Sequence, residues 1–271
     1  MLRKALRRAA ATLGREDFGS EQVHAARRDI KKARERLRLL REALPRHAFR
    51  RRDRLMQRAA ASLAATRDSA ILLETLDALV AHHQAAAALD GARTLRHTLR
   101  GDLERRRLEL VSGHRGVRRS RRLLRRAGVG VRLRTSGRSA VLEGLRDTYR
   151  EGRAALKLAL RDGGDDALHA LRKSTNDLAL QFRFLEKHSR WRPRRSRAYR
   201  TLSDVLGDDR DLALLHARIA KHPHAMDDME DQTRLVTVIE ERRLKLQRRA
   251  LLAAERLYGR KAKAFARGLE Q

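Results

Sequence analysis

The sequence contains no cysteine. That excludes disulfides, zinc sites built on thiolates and thiol catalysis, and it fits a reducing compartment. Proline occurs only at Pro45, Pro193 and Pro223. Aromatic residues make up 3% of the chain: one Trp, three Tyr and five Phe. Proteins that hold single-stranded nucleic acid stack bases on aromatic rings, so a polymeric ligand of this chain is expected to be gripped by its charge. No apolar run approaches the roughly 18 residues that read as a membrane span, which argues against a membrane partner. The first residues, MLRKALRRAAATLGRED, lack the apolar stretch of a secretory signal. They are Arg-rich and acid-poor at first, like a transit peptide, but read better as an amphipathic first helix. The expected location is cytoplasmic.

Acidic residues are also scarce. Lys and Arg number 65 against 34 Asp and Glu, a formal net charge of +31. A solvated surface accounts for a high charged fraction, but not for a two-to-one excess of one sign. Such an excess repels itself in the compact state and favours polyanionic partners.

Ala, Leu, Arg and Glu dominate, and no window shows the β-branched alternation of a strand. The chain is therefore expected to be all-α. One stretch interrupts the helical pattern. His114 to Arg138 holds ten Arg, four Gly and no acid, and Gly128, Gly130 and Gly137 break helix at its end. Its C-terminal part reads as a linker.

The segments on either side of it are related. Sliding by 145 residues lays His24 on His169, Arg27 on Arg172, Arg38 on Arg183 and Leu40 on Leu185. Ser20 falls on Asp165, both good N-cap residues. A second match, at an offset of 143, lays Arg67-Asp68 on Arg210-Asp211, and a weaker third sets Leu2–Leu13 against Leu145–Leu156. Matches in the same order at nearly equal offsets argue for an internal duplication. The expected organisation is one helical-bundle half over 1–127, a linker over 128–139 and a second half over 140–271, with about four helices in each half.

Advancing about 100° per residue from His24, Val23, Ala26, Ile30, Ala33, Leu37 and Leu40 fall in one apolar arc. Arg27, Arg28, Lys31, Arg34 and Arg38 fall on the same side as His24. The first helix of the repeat thus carries a buried stripe beside a cationic ridge, with Glu35 on the ridge. Like charges three and four residues apart destabilise a helix by a few tenths of a kcal/mol per pair. A multivalent anion with a charge on every unit offsets that cost, and binds in a steeply salt-dependent way through counterion release. The competing reading is a ridge paired to acids on neighbouring helices. A single His near a helix start is usually structural, so His24 and His169 are not assigned as catalytic bases.

The ridge residues resemble those of a known family, the conserved histidine α-helical (CHAD) domain. HAARRDIKKARERLRLL matches its helical repeat through His24, Arg27, Lys31, Lys32, Arg34 and Arg38, and HALRKSTNDLALQFRFL matches through His169, Arg172, Lys173 and Arg183. The segments RDSAILLETLDALV, GLRDTYREGRAAL, LGDDRDLALL and KAKAFARGLE resemble the corresponding family segments. The resemblance implies two four-helix bundles related by a pseudo-twofold axis, with a basic groove between them that binds inorganic polyphosphate. It also implies association with polyphosphate granules. The implied binding set is His24, Arg27, Arg28, Lys31, Arg34 and Arg38, with His169, Arg172, Lys173 and Arg183 opposite. Tyr149, Arg150 and Arg153, and Lys261 and Lys263, are further additions. The second half departs from the family pattern at Asn176, Ala179 and Leu180, which thins its ridge.

Two other functions compete. The charge also suits weak, non-specific nucleic-acid binding, although no recognisable reading module is present. A phosphate-transferring enzyme needs a carboxylate-held metal or a Gly-rich phosphate loop. There is no GxxxxGK[ST] sequence and no ExExK strand, so no catalytic residue, cofactor or metal is assigned. Gly207–Asp211 (GDDRD) reads as a helix N-terminus with favourable acids. His222 and His224 with Asp227 and Asp228 read as a polar loop. The Arg67-Asp68 and Arg210-Asp211 pairs read as structural, with a ligand-facing arginine as the alternative.

Overall fold

The structure is a computed structural model that describes residues 2–14, 20–83, 90–113, 115–129, 138–188, 196–222, 226 and 228–269. Among them are eleven helices and no strand. They are α1 (Leu2–Thr12), α2 (Ser20–Leu39), α3 (Arg46–Ala61), α4 (Ala64–His82), α5 (Asp90–Gly113) and α6 (Arg115–Gly128), then α7 (Arg138–Asp162), α8 (Asp165–His188), α9 (Ser196–Lys221), α10 (Met229–Tyr258) and α11 (Ala262–Arg267). The all-α expectation holds.

The α2 stripe shows why these residues form this element. Val23, Ala26, Ile30, Ala33 and Leu37 recur at spacings of three and four, and all are at most 2% exposed. Each large aliphatic side chain buried this way contributes about 1.5–3 kcal/mol. Leu40, the sixth expected member, lies past the end of the helix and is only half-buried; Leu39 is buried instead. The turn after α7 is built by Gly163, whose φ of +61° suits glycine alone at low cost. Its N–H donates to the Ala159 carbonyl at 3.0 Å, closing the helix end and starting α8 close by.

Two apolar clusters form, and they do not divide as expected. The first is made by α1, α2, α3 and α6. The second takes α4 and α5 together with α7 to α10. Leu76, Leu79, Leu95 and Leu99 of the α4–α5 hairpin thus pack into a core built mainly by the second half. The boundary at 127 therefore separates the sequence but not the packing. The count of about four helices per half also differs, since six helices precede the 130–137 segment and five follow it. α9 runs unbroken through the stretch that aligns with the α3–α4 break at Ser62–Leu63.

The Arg-rich stretch is a second correction. Residues 115–128 are helical, because Val117, Ser120, Leu123, Leu124 and Ala127 make a buried stripe. Gly128 ends that helix rather than preventing it. Residues 130–137, with Gly130 and Gly137, and also Pro193, Pro223, His224 and Asp227, lie outside the described residues.

The scarce aromatics are spent on the second core. Tyr149 stacks on Phe265 with ring centroids 3.9 Å apart, and Tyr149, Tyr199 and Tyr258 are each at most 1% exposed. The Leu257 carbonyl accepts from both Tyr149 (3.2 Å) and Tyr199 (3.0 Å). Among the described residues no aromatic side chain is fully exposed.

Candidate anion-binding groove

The two ridge helices, α2 and α8, pack directly on one another, and α7 also packs on α2. At their contact Glu35 and Asp177 are buried, 6% and 4% exposed. Lys31, one turn before Glu35 on α2, has an exposed side chain whose amine is near both helices' charges. Desolvation there, followed by the nearby Arg172 charge, lowers its pKa; Glu35, Asp177 and Asp204 pull the other way. Arg172 is half-buried, and its Nε is buried with no hydrogen-bond partner. Gly207 of α9 lies beside that nitrogen. Neither Lys31 nor Arg172 makes an ion pair among the described residues.

One turn earlier on α8 stands His169, flanked by Lys173. Its pKa is lowered, first by burial and then by the charges of Arg210, Arg172 and Lys173. Arg210 comes from α9 and makes no ion pair among the described residues. Its Asp211 neighbour is engaged within the protein. This favours the ligand-facing alternative for Arg210 over the structural reading. The Arg67 side chain lies outside the described residues. The assembled set is thus Lys31 from α2, His169, Arg172 and Lys173 from α8, and Arg210 from α9. Cations held together without ion-pair partners among the described residues form a site prepared for negative charge.

Several expected ridge residues are committed elsewhere. Arg38 bridges Asp177 of α8 (2.9 Å) and Glu151 of α7, with its side chain 16% exposed. Arg34 pairs with Asp53 of α3 at 2.9 Å. Arg27 donates to the Ala60 carbonyl at 3.0 Å. The helices that cover this flank of α2 bring those acceptors with them, so the competing reading of a ridge paired to acids holds for Arg34 and Arg38, while Arg27 is held by a backbone carbonyl. Arg28 is exposed and makes no ion pair among the described residues, whereas His24 is half-buried and engaged within the protein.

The further additions do not converge on the groove. Tyr149 is fully buried, and its hydroxyl donates to the Leu257 and Arg260 carbonyls; it is a packing residue. Arg150 pairs with Asp147 at 2.8 Å. Arg153 is half-buried with no ion pair among the described residues. Lys261 caps the start of α11, and Lys263 faces a crevice with Arg138 and Arg146 near the start of α7.

Arg183 sits in yet another place. It lines a cavity of about 450 Å³ between α1, α2 and α8, with Lys4, Arg8, Lys32 and Lys187. Arg38 and Arg183 align in the sequence offset but occupy opposite surroundings, one held by two acids and the other among cations. Arg8, aligned with Glu151, makes the difference; its guanidinium binds Asp29 through two 2.7 Å bonds.

The acid-rich patch is also corrected. Gly207–Asp211 lies within α9 rather than at a helix start, and Asp209 accepts from Arg243 (3.2 Å) and Gln247 (3.0 Å). Asp228 caps α10 by accepting from the Glu230 N–H at 2.8 Å. Among the described residues no group of three or more His, Asp or Glu is placed to hold a metal ion, and no helix is long and apolar enough to cross a membrane.

The fold and site thus define an all-α domain in which α2, α8 and α9 bring together cations that make no ion pair among the described residues. The chain belongs to the CHAD domain family, whose model matches residues 1–220. Its structure is similar to the crystal structure of the CHAD domain from the plant Ricinus communis, with a TM-score of 0.52 and 17% identity. The match covers 99% of this chain and 88% of that one, and at this identity the likeness is one of fold. No curated protein matches the sequence.

Proposed function

We propose that the protein binds inorganic polyphosphate, without catalysis, along the groove where α2 meets α8, and that this ties it to polyphosphate granules in the cytoplasm. The observation that carries the reading is the approach of Lys31 to Arg172, two cations from different helices that feel one another's charge and make no ion pair among the described residues. Holding like charges at this range is unfavourable unless an anion lies across them. A bare phosphate chain has a charge on each unit and no bases to stack, which suits a site built of cations. His169, Lys173 and Arg210 extend the same line of charge.

The test is displacement of labelled long-chain polyphosphate at near-physiological salt, in the native protein and in Lys31→Glu/Arg172→Glu. The double variant is expected to lose more than tenfold in affinity with helicity intact. Unchanged affinity in a folded double variant would place the ligand elsewhere. In the native protein, unlabelled polyphosphate is expected to displace the label at far lower phosphate concentration than RNA does. Equal displacement would remove the preference for a bare phosphate chain.

A further inference from the structure

The groove leaves most of the positive charge unused. The largest excess lies on the other side of the first bundle. There α6 is held between α1 and α3, while α2 closes the ring opposite it. The outward arc of α6 carries Arg115, Arg118, Arg119, Arg122, Arg125 and Arg126, all exposed, with no acid in the helix. α3 adds the exposed Arg46, Arg50, Arg51, Arg54 and Arg58, and α1 adds Arg3 and Arg7. None of these arginines makes an ion pair among the described residues. The one acid of α3, Asp53, is taken by Arg34 and Gln57.

The second half is mixed. Arg243 pairs with Asp209 and Asp165, Arg218 with Asp102 and Arg161 with Asp162, while Arg197, Arg200, Arg248 and Arg249 are exposed with no ion pair among the described residues. The α6 face differs in density, with six exposed arginines and no acid in one 14-residue helix.

We infer that the outward face of α6, flanked by α3 and α1, is a docking surface for the phosphate backbones of duplex nucleic acid, read without regard to sequence. Three arguments select this partner. The first is width. Neighbouring helices lie about 8–10 Å apart, so three of them present a face nearly 20 Å across. A single phosphate chain covers one row of such a face, whereas the two backbones bounding a groove of about 12 Å cover it all. The second is charge density. The 14 residues of α6 rise about 21 Å, a length over which duplex DNA carries about 12 phosphates. The third is chemistry. α3 and α6 contain arginine and no lysine, and the guanidinium fork matches phosphate oxygens in pairs. α6 exposes no Asn or Gln to read a base edge, and the described rings needed for stacking on single strands are not fully exposed, so the contact is to the backbone.

The measurement is fluorescence anisotropy of a random-sequence 30-base-pair duplex with the full chain, across about 50–200 mM salt. Substituting Arg118, Arg122 and Arg125 with Gln removes three phosphate contacts from exposed positions on the outward arc. The slope of log affinity against log salt is expected to fall by about 3, at about 0.9 per contact, with affinity at the midpoint reduced more than tenfold. The same three positions changed to Lys are expected to keep the native slope. A native slope in the Gln variant overturns the inference. So does an equal loss of affinity for anionic lipid vesicles or long-chain polyphosphate, since the face is then a generic cation surface. If the triple variant loses helicity, Arg122→Gln alone carries the test, with a slope change of about 1. The groove variant Lys31→Glu/Arg172→Glu is expected to keep duplex binding, so failure of the groove reading and failure of this one remain distinguishable.

Discussion

Glu35 of α2 and Asp177 of α8 are buried together at the contact between the two ridge helices, 6% and 4% exposed. Burial, then Asp177, raises the Glu35 pKa well above its ordinary value, against the opposing pull of Arg38 and Arg34. The sequence placed Glu35 on the ridge as a relief for its charge. In the fold burial and Asp177 disfavour its charge instead, so it relieves the cations beside it less than its place on the ridge implies.

This pair makes stability depend on pH in a defined direction. A carboxyl whose pKa is raised on folding holds its proton more tightly in the native state. Its contribution is full below the ordinary glutamate value of 4.5 and is lost as pH climbs from there through the raised value. Glu35→Gln is expected to remove that decline. Denaturant unfolding of both proteins at pH 4.5 and pH 8 checks it, with the variant gaining on the native chain only at the higher pH.

His169 sets the pH dependence of binding. Its pKa is lowered in the free protein by burial and by Arg210, Arg172 and Lys173. A polyanion across those cations cancels their share and raises the pKa, so binding takes up a proton. Affinity is expected to strengthen as pH falls through the range just below the ordinary histidine value of 6.5, and His169→Gln is expected to flatten that response. Calorimetry in two buffers of different ionisation enthalpy measures the uptake directly.

Arg38 is expected to matter for folding. Its Asp177 partner is buried, so Arg38→Ala strands a carboxylate and is expected to cost about 3 kcal/mol. The loss should be visible in urea unfolding, whereas Lys31→Ala should lose polyphosphate affinity at nearly native stability.

Tyr149→Phe gives a cleaner test of a core role. It removes the donor to the Leu257 and Arg260 carbonyls and is expected to cost about 1–2 kcal/mol, with the affinity of the folded protein for polyphosphate unchanged.

Gly144 reports the packing of α7 on the end of α2. A Cβ there would intrude on the Leu39 backbone, with its Cα only 3.0 Å away. Gly144→Ala is expected to destabilise by about 1–3 kcal/mol, measured as a lowered urea midpoint.

The α2 stripe from Val23 to Leu37 was legible in the sequence because its period is local. So was the cationic character of Lys31 and Arg172, which share a motif. What was hidden is non-local. Glu151 stands 113 residues from Arg38, and only the packing of α7 on α2 makes it a partner. Tyr149 lies next to Arg150 in a basic segment, yet successive helical residues diverge by about 100°, and that step sends the ring into the core. The helix α6 was masked by its glycines and by a composition so rich in arginine that its five buried positions were overlooked.

The α4–α5 hairpin belongs to one half by sequence and to the other by packing. A chain severed within 130–137 would not yield two independent proteins. The N-terminal piece would carry Leu76, Leu79, Leu95 and Leu99 with nothing to bury them against, and the C-terminal piece would lack the surface that completes its interior. Each fragment alone should aggregate, and mixed together they should recombine into a single complemented fold. The hairpin thus acts as a clasp that makes the halves obligate partners.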